Sequence, residues 1–425
     1  MEEWIMRKLM MVSLVLILGI VSSAFGSGFL IYEHGAAAMG MAGAFVSIAN
    51  NPTAIFYNPA GIAWLKGTQV NAGGTFIFPS GSVSLPNWPS PTFSKVYQLD
   101  QTFFPPQFYF THKFGSRVAA GIGVFAPYGL GTSWPVNYPL KYICTQTSME
   151  TLFINPAVAF MITDNLSIGV GVSYIHSTLS LDLVRNVVIP NTWTGDVPAS
   201  LNKAKGNAVG YNAGLLFKKD KFSVGFHWRS GFNIDYSGTL TLDKSDVPSP
   251  LQPYIPSSGA VTTTFKFPNL FALGVAYQIS DKLLWSAEAQ YYTWKVYKNY
   301  TINIAYAGGG SEQELVEENF KNSIILRTGI QYQLKESWAV RCGILYDQTP
   351  QPVESMDPSL PDASRVALTV GLGYTKNKFR VDLGYQYEMF SNRTSPNRNI
   401  YPAGLGEGTY QTLGQLLGFT LGYSF

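Results

Sequence analysis

"LLGFTLGYSF", residues 416–425, ends the chain, and its side chains sort into two sets by parity. Leu417, Phe419, Leu421, Tyr423 and Phe425 share one face, and Gly418, Thr420, Gly422 and Ser424 share the other. Alternation of period two is the mark of a strand with unlike environments on its two faces. A final strand of this kind that closes on an aromatic residue looks like the signal by which outer-membrane β-barrels are received for insertion.

The same alternation recurs upstream. In "FRVDLGYQYE" (379–388) Phe379, Val381, Leu383, Tyr385 and Tyr387 oppose Arg380, Asp382, Gly384, Gln386 and Glu388. "RVALTVGLGY" (365–374), "SIILRTGIQY" (323–332) and "WAVRCGILY" (338–346) repeat it, with Arg327, Gly329, Arg341, Gly343 and Gly371 on the small or polar side. A soluble sandwich also alternates, so the connections decide. Short polar turns at 114–116, 163–165, 218–221, 280–282, 335–337 and 376–378 alternate with long irregular stretches. The long ones lie near 79–103, 127–146, 186–205, 242–258, 303–317, 349–362 and 391–409. Tight turns at one end and long loops at the other predict an all-β, antiparallel, up-and-down transmembrane barrel of about 14 strands. The wall must close, because an open edge in hydrocarbon leaves backbone N–H and C=O groups unpaired at several kcal/mol each. Trp285, Tyr291, Tyr374 and Tyr423 are placed to form interfacial girdles.

Composition fits this surface. Of 425 residues, 13% are charged and 14% aromatic, where a soluble domain carries about a quarter charged residues. The net charge of +3 is small and its basic residues are scattered, which excludes nucleic acid as a partner. Residues 1–26 read as a cleaved signal peptide: the basic pair Arg7-Lys8, an apolar run Leu9–Val21, then Ala24 and Gly26 at the cleavage site. The run is short for a membrane anchor, and no later window reaches the roughly 18 apolar residues of a spanning helix. Cys144 and Cys342 form no disulfide framework.

Between leader and first strand, residues 27–66 follow no strand pattern. "GFLIYEHGAAAMGMAGAFVSIANNPTAIFYNPAGIAWL" (28–65) is small-residue-rich and nearly uncharged. A flexible tail would be more charged and less aromatic, and a barrel of this size leaves a lumen that side chains alone do not fill. The division is therefore signal peptide 1–26, N-terminal hatch 27–66 within the lumen, and barrel 67–425.

Gly28-Phe29, Gly35, "MGMAGAF" (39–45) and "FYNPAG" (56–61) resemble the hatch of the outer-membrane long-chain fatty acid and hydrocarbon transporters (FadL/TodX type). "GIGVFAPYGLGTSWP" (121–135) resembles that family's third strand and following loop, and "YDQTPQPVESMDPSLPDASR" (346–365) a further loop. The resemblance implies passive uptake of hydrophobic small molecules such as fatty acids, alkanes or aromatics. Ligand would be captured among the extracellular loops and passed to an apolar pocket beside the hatch. It would leave through a lateral opening at a kinked third strand. It places the hatch function on Asn58, Pro59, Ala60, Gly28 and Phe29. The kink falls on Gly121, Gly123, Pro127, Gly129 and Gly131, residue types that weaken a ladder. Without the resemblance, Asn58-Pro59 reads as a turn or helix cap.

The lumen-facing charges read as a paired network, from which Arg327, Arg341 and Arg365 stand out as candidate contacts for a ligand head group. Trp88, Phe93, Tyr97, Phe103 and Phe104 could form an outer apolar groove, although interfacial aromatics need no ligand. No enzyme is expected, and no catalytic residue is assigned. His34, His112, His176 and His227 lie in no G-x-S-x-G context, and Ser223 and His227 would be about 13 Å apart on one strand. No metal-ligand spacing occurs and no cofactor is expected. The implied surroundings are the Gram-negative outer membrane and its lipid, the barrel-assembly machinery at Phe425, and a monomeric state. The competing readings are a general polar-solute porin and a structural or adhesive barrel.

Overall fold

Alternating sequences can bury one face and satisfy their backbone groups only by pairing on both edges, and the described strands do this in a ring. The computed structural model describes residues 28–396 and 406–425; the leader expected over 1–26 lies outside them. The wall strands are β1 (Thr68–Ser84), β2 (Pro106–Phe114) and β3 (Val118–Phe125, resuming as Gly129–Ser133). Then come β4 (Gln146–Met161), β5 (Leu166–Ile189) and β6 (Trp193–Lys219). β7 is Phe222–Arg229 with Phe232–Leu242, and β8 is Ser258–Phe267 with Leu270–Ser280. β9 (Leu283–Tyr292), β10 (Ser323–Lys335), β11 (Trp338–Asp347), β12 (Arg365–Lys376), β13 (Phe379–Phe390) and β14 (Gly408–Ser424) complete the set. β14 pairs with β1 from Gln69↔Ser424 to Ser84↔Thr409, closing a 14-strand antiparallel barrel.

All six short turns stand where the sequence puts them, but two of the long stretches, 186–205 and 303–317, are paired hairpins and not irregular loops. β5 and β6 stay paired beyond a bulge between Leu179 and Leu181 as far as Ile189↔Trp193, so 186–205 is a projecting hairpin. Pro190, Asn191, Gly195 and Pro198 disguise it. Asn191 takes the turn at φ 58°, and Val187, Ile189 and Trp193 pack on Val197, Val247 and Ile255. A second hairpin, Asn299–Tyr306 with Ser311–Glu317, occupies the loop between β9 and β10.

Facing follows parity. Val370, Leu383 and Leu421 are about half exposed and form the apolar outer belt, while Asp382, Gln386 and Glu388 are buried on the inside. Trp285 departs from its expected girdle position: it is buried, because its indole N–H finds Thr328 Oγ1 at 2.9 Å.

Inside this wall lies the segment Gly28–Leu65, almost wholly buried. Its small residues allow tight reversals, with Gly35 at φ 82°, Ala42 at 55° and Gly43 at 75°. Only single helical turns form, at Ala36–Met39 and Ala54–Tyr57, followed by a 3-10 turn Pro59–Trp64. The wall meets the segment on glycines. An added methyl at Gly329 would stand 2.6 Å from the Met41 carbonyl, at Gly371 2.9 Å from Gly40 Cα, and at Gly384 2.9 Å from the Ala36 carbonyl. Gly214 and Gly225 are closer still, against Asn58 Oδ1 and the Val46 carbonyl.

Candidate functional site

Proline at 127 cannot donate to a ladder, and the third strand breaks there, between Phe125 and Gly129. Its freed backbone groups are taken up by the N-terminal segment. Ile31 N–H donates to the Pro127 carbonyl at 2.8 Å, and Gly129 N–H donates to the Phe29 carbonyl at 3.0 Å. Thr151 Oγ1 of β4 closes the remainder, donating to the Tyr128 carbonyl at 2.7 Å. Gly121 and Gly123 lie below the break in unbroken pairing with β2 and β4, where Ile55 of the segment packs on them. Pro127 and Gly129 are at the break itself, and Gly131 lies beyond it, against the Phe103 ring.

The break opens a cavity of about 580 Å³. Phe29, Leu130, Met149 and Phe103 supply apolar lining, and Glu33, Arg365 and Glu388 mark its lumenal end. Phe104 and Leu152 also line it, and both are exposed on the outer surface at 42% and 37%. The cavity therefore touches both faces of the wall.

The segment is fastened around the circumference. Phe45 and Val46 N–H groups donate to Glu288 Oε2 of β9 at 2.9 Å each. Ala42 N–H reaches Thr369 Oγ1 of β12, and Ala36 N–H reaches Thr420 Oγ1 of β14, both at 3.0 Å. Asn58 does what a cap does, its Oδ1 accepting from Ala60 N–H at 3.1 Å with Pro59 in the first helical position. Its Nδ2 also donates to the Leu215 carbonyl of β6 at 2.9 Å, so cap and wall contact are one side chain. Gly28 N–H donates to Asp362 Oδ2 at 2.9 Å, and Phe29 stacks edge-on against Trp294 and Tyr297.

The three arginines have separate surroundings. Arg341 is bound to Asp382 at 2.9 Å and Arg365 to Asp347 at 2.9 Å and Glu388 at 3.3 Å. Arg327 lies over the Tyr32 ring at 4.1 Å and donates to Gln290 Oε1 at 3.3 Å. Of the three, Arg365 lines the cavity and the other two do not. Glu33 escaped the sequence reading, and Asp362 entered it only within the 346–365 loop, with no role assigned. Glu33 is the one Asp, Glu, Lys or Arg between residues 27 and 65, a signal that was there to be used. Among the described residues no group of His, Cys, Asp and Glu is disposed to hold a metal ion, and Cys144 and Cys342 are free thiols, one buried and one exposed.

Burial pushes the Asp362 carboxyl up to about 6, against the opposing hydrogen bonds from Thr349 and Gly28. A carboxyl raised on folding stabilises fully below its unfolded value, about 3.9, and loses that contribution as pH rises through about 6. Asp362→Asn is expected to remove this slope from the urea midpoint measured across that range. An unchanged slope would assign it to other groups.

Comparison with known proteins gives consistent matches over most of the chain. The family model described as outer membrane protein transport protein (OMPP1/FadL/TodX) matches residues 17–425. A long-chain fatty acid transport protein of Escherichia coli is 23% identical over 403 residues, covering 87% of this chain and 88% of that protein. Among solved structures, a Pseudomonas aeruginosa FadL homologue superposes with TM-score 0.80 at 18% identity, covering 94% of this chain and all of its own. The Pseudomonas putida toluene transporter TodX gives 0.77 at 16% identity, covering 93% and 99%.

Proposed function

The chain belongs to the OMPP1/FadL/TodX family of outer-membrane transport proteins, and from that premise we propose how it moves its cargo. It is a transporter of hydrophobic compounds in the outer membrane, and not an enzyme. Cargo enters from the outer loops, occupies the cavity at the broken third strand, and passes sideways between β2 and β3 into the membrane. Segment 27–66 is the hatch that keeps the lumen shut against water-soluble molecules. The observation that carries this reading is the cavity reaching both wall faces where β3 gives up its ladder to Phe29–Ile31. An apolar molecule leaving laterally never crosses water, which is the costly step for such cargo. Passage is driven by the concentration gradient and needs no cofactor.

Fatty acids, alkanes and aromatics all fall within this reading, since relatives are named for fatty acid and toluene transport. Cells expressing the protein are expected to accumulate a labelled long-chain alcohol or toluene faster than empty-vector cells. Equal rates would overturn the transport route. Asn58→Ala removes both the cap and the Leu215 contact, weakening hatch docking by about 1–3 kcal/mol. Uptake is expected to change while the heat-modifiable gel mobility of the folded barrel stays the same; unaltered uptake would remove Asn58 from the gating.

A further inference from the structure

The cavity at the broken strand is apolar along its length, but the charges at its two ends are of one dominant sign. Glu33, Asp362 and Glu388 line the lumenal side. Glu150 lines the membrane-side rim, exposed on the same outer parity of β4 as Leu152. Against these four carboxyls a single guanidinium among the described residues, Arg365, faces the space, and it is bound to Asp347 at 2.9 Å and Glu388 at 3.3 Å. His176 also lines the cavity, at its outer side, with Nδ1 2.8 Å from Asn207 Oδ1. Two further arginines stand nearby and are turned to other work. Arg327 is over Tyr32 and on Gln290, and Arg393 donates to the Asp362 and Gln351 carbonyls at 2.7 and 2.8 Å.

Resting on the lateral-passage reading above, we propose that this passage selects neutral hydrophobic molecules (hydrocarbons and long-chain alcohols) and excludes the carboxylate anions of fatty acids. A carboxylate that leaves water must exchange its hydration for donors or a cation. The cation on offer is already held by two carboxylates, and the carboxyl groups at the rim and the lumenal end offer an incoming anion no compensating cation. A specificity of this kind comes from a repulsive element, since the apolar contacts would serve either ligand equally. A neutral alcohol meets no such cost, and its hydroxyl can donate to the Glu33 or Glu388 carboxylate while the chain lies on Phe29, Phe103 and Met149.

The test uses one chain length in two head groups, with intact cells expressing the full protein at about pH 8, where a free carboxylic acid is ionised. Uptake of labelled hexadecanol and hexadecanoate is compared with empty-vector cells. Acceleration of hexadecanol at least about fivefold greater than that of hexadecanoate is the expected result. Equal or greater acceleration of hexadecanoate overturns the charge selectivity and leaves the passage standing. Acceleration of neither overturns the passage and the selectivity with it. Glu150→Lys, at an exposed position of low folding risk, reverses the charge at the rim and is expected to raise the hexadecanoate-to-hexadecanol ratio severalfold. A ratio unmoved in a variant with normal heat-modifiable mobility removes the rim from the selection.

Discussion

Arg365→Ala is expected to lower the stability of the barrel by about 3–5 kcal/mol, the cost of leaving buried carboxylates without their cation. Asp347 is fully buried and accepts from the Tyr32 hydroxyl at 3.2 Å as well as from Arg365 Nε at 2.9 Å. Glu388 holds the other side of the guanidinium and accepts from Gln386 through its second oxygen at 2.8 Å. The guanidinium thus joins the first strand residue after the Pro-rich loop to β11, β13 and the N-terminal segment. The measurement is the urea midpoint of heat-modifiable mobility in detergent. Glu388→Gln in the same background supplies a double-mutant cycle, in which the two losses should fall well short of adding. A midpoint unchanged by Arg365→Ala would mean that water reaches these carboxylates and that the network is not closed.

The second large effect concerns the lumen. A chain lacking Gly28–Leu65 is expected to form the same barrel and to conduct small ions roughly tenfold better in planar bilayers, because a wall of this strand number encloses more space than its side chains fill. The groups that the segment satisfies, Glu288 and Thr369 among them, then face water and keep hydrogen-bond partners, so closure does not fail with the deletion. Conductance unchanged from the full chain would mean that the wall collapses inward or that the lumen was already open. The result also separates a hatch from a loose lining, since only a seated segment blocks ions.

The barrel was legible in the sequence because the features that specify it are local. Period-two alternation, polar turns of a few residues and the terminal aromatic strand each operate within about ten residues. The hairpin of β5 and β6 was hidden because Pro198 lies inside a strand and Gly195 beside its tip, residues that ordinarily mark loops. Pro127 gave away a weak point in β3, but nothing near it in sequence names Phe29 and Ile31 as the partners of its backbone. The inner glycines could be read as a small face, as at Gly329, Gly371 and Gly384, yet their contacts come from residues some hundreds of positions away. Electrostatics was the least legible part. Arg327, Arg341 and Arg365 look alike on a strand diagram, and only the fold assigns one to a ring, one to Asp382 and one to two carboxylates beside a cavity.

Fastening of the N-terminal segment around the whole circumference also imposes an order on assembly. The bond from Ala36 N–H to Thr420 Oγ1 spans 384 residues, and that from Ala42 N–H to Thr369 Oγ1 spans 327. Thr369 waits for β12 and its neighbours, and Thr420 is not in place until β14 has met β1. Residues made before any wall strand are therefore the last to settle, and loops of such length close late because their entropy must be overcome first. Until then a small-residue, apolar stretch stays unpartnered, the condition in which chains aggregate or are cut. Protease resistance of the N-terminal segment is thus a clock for barrel completion: it should arise only after the final strand is paired.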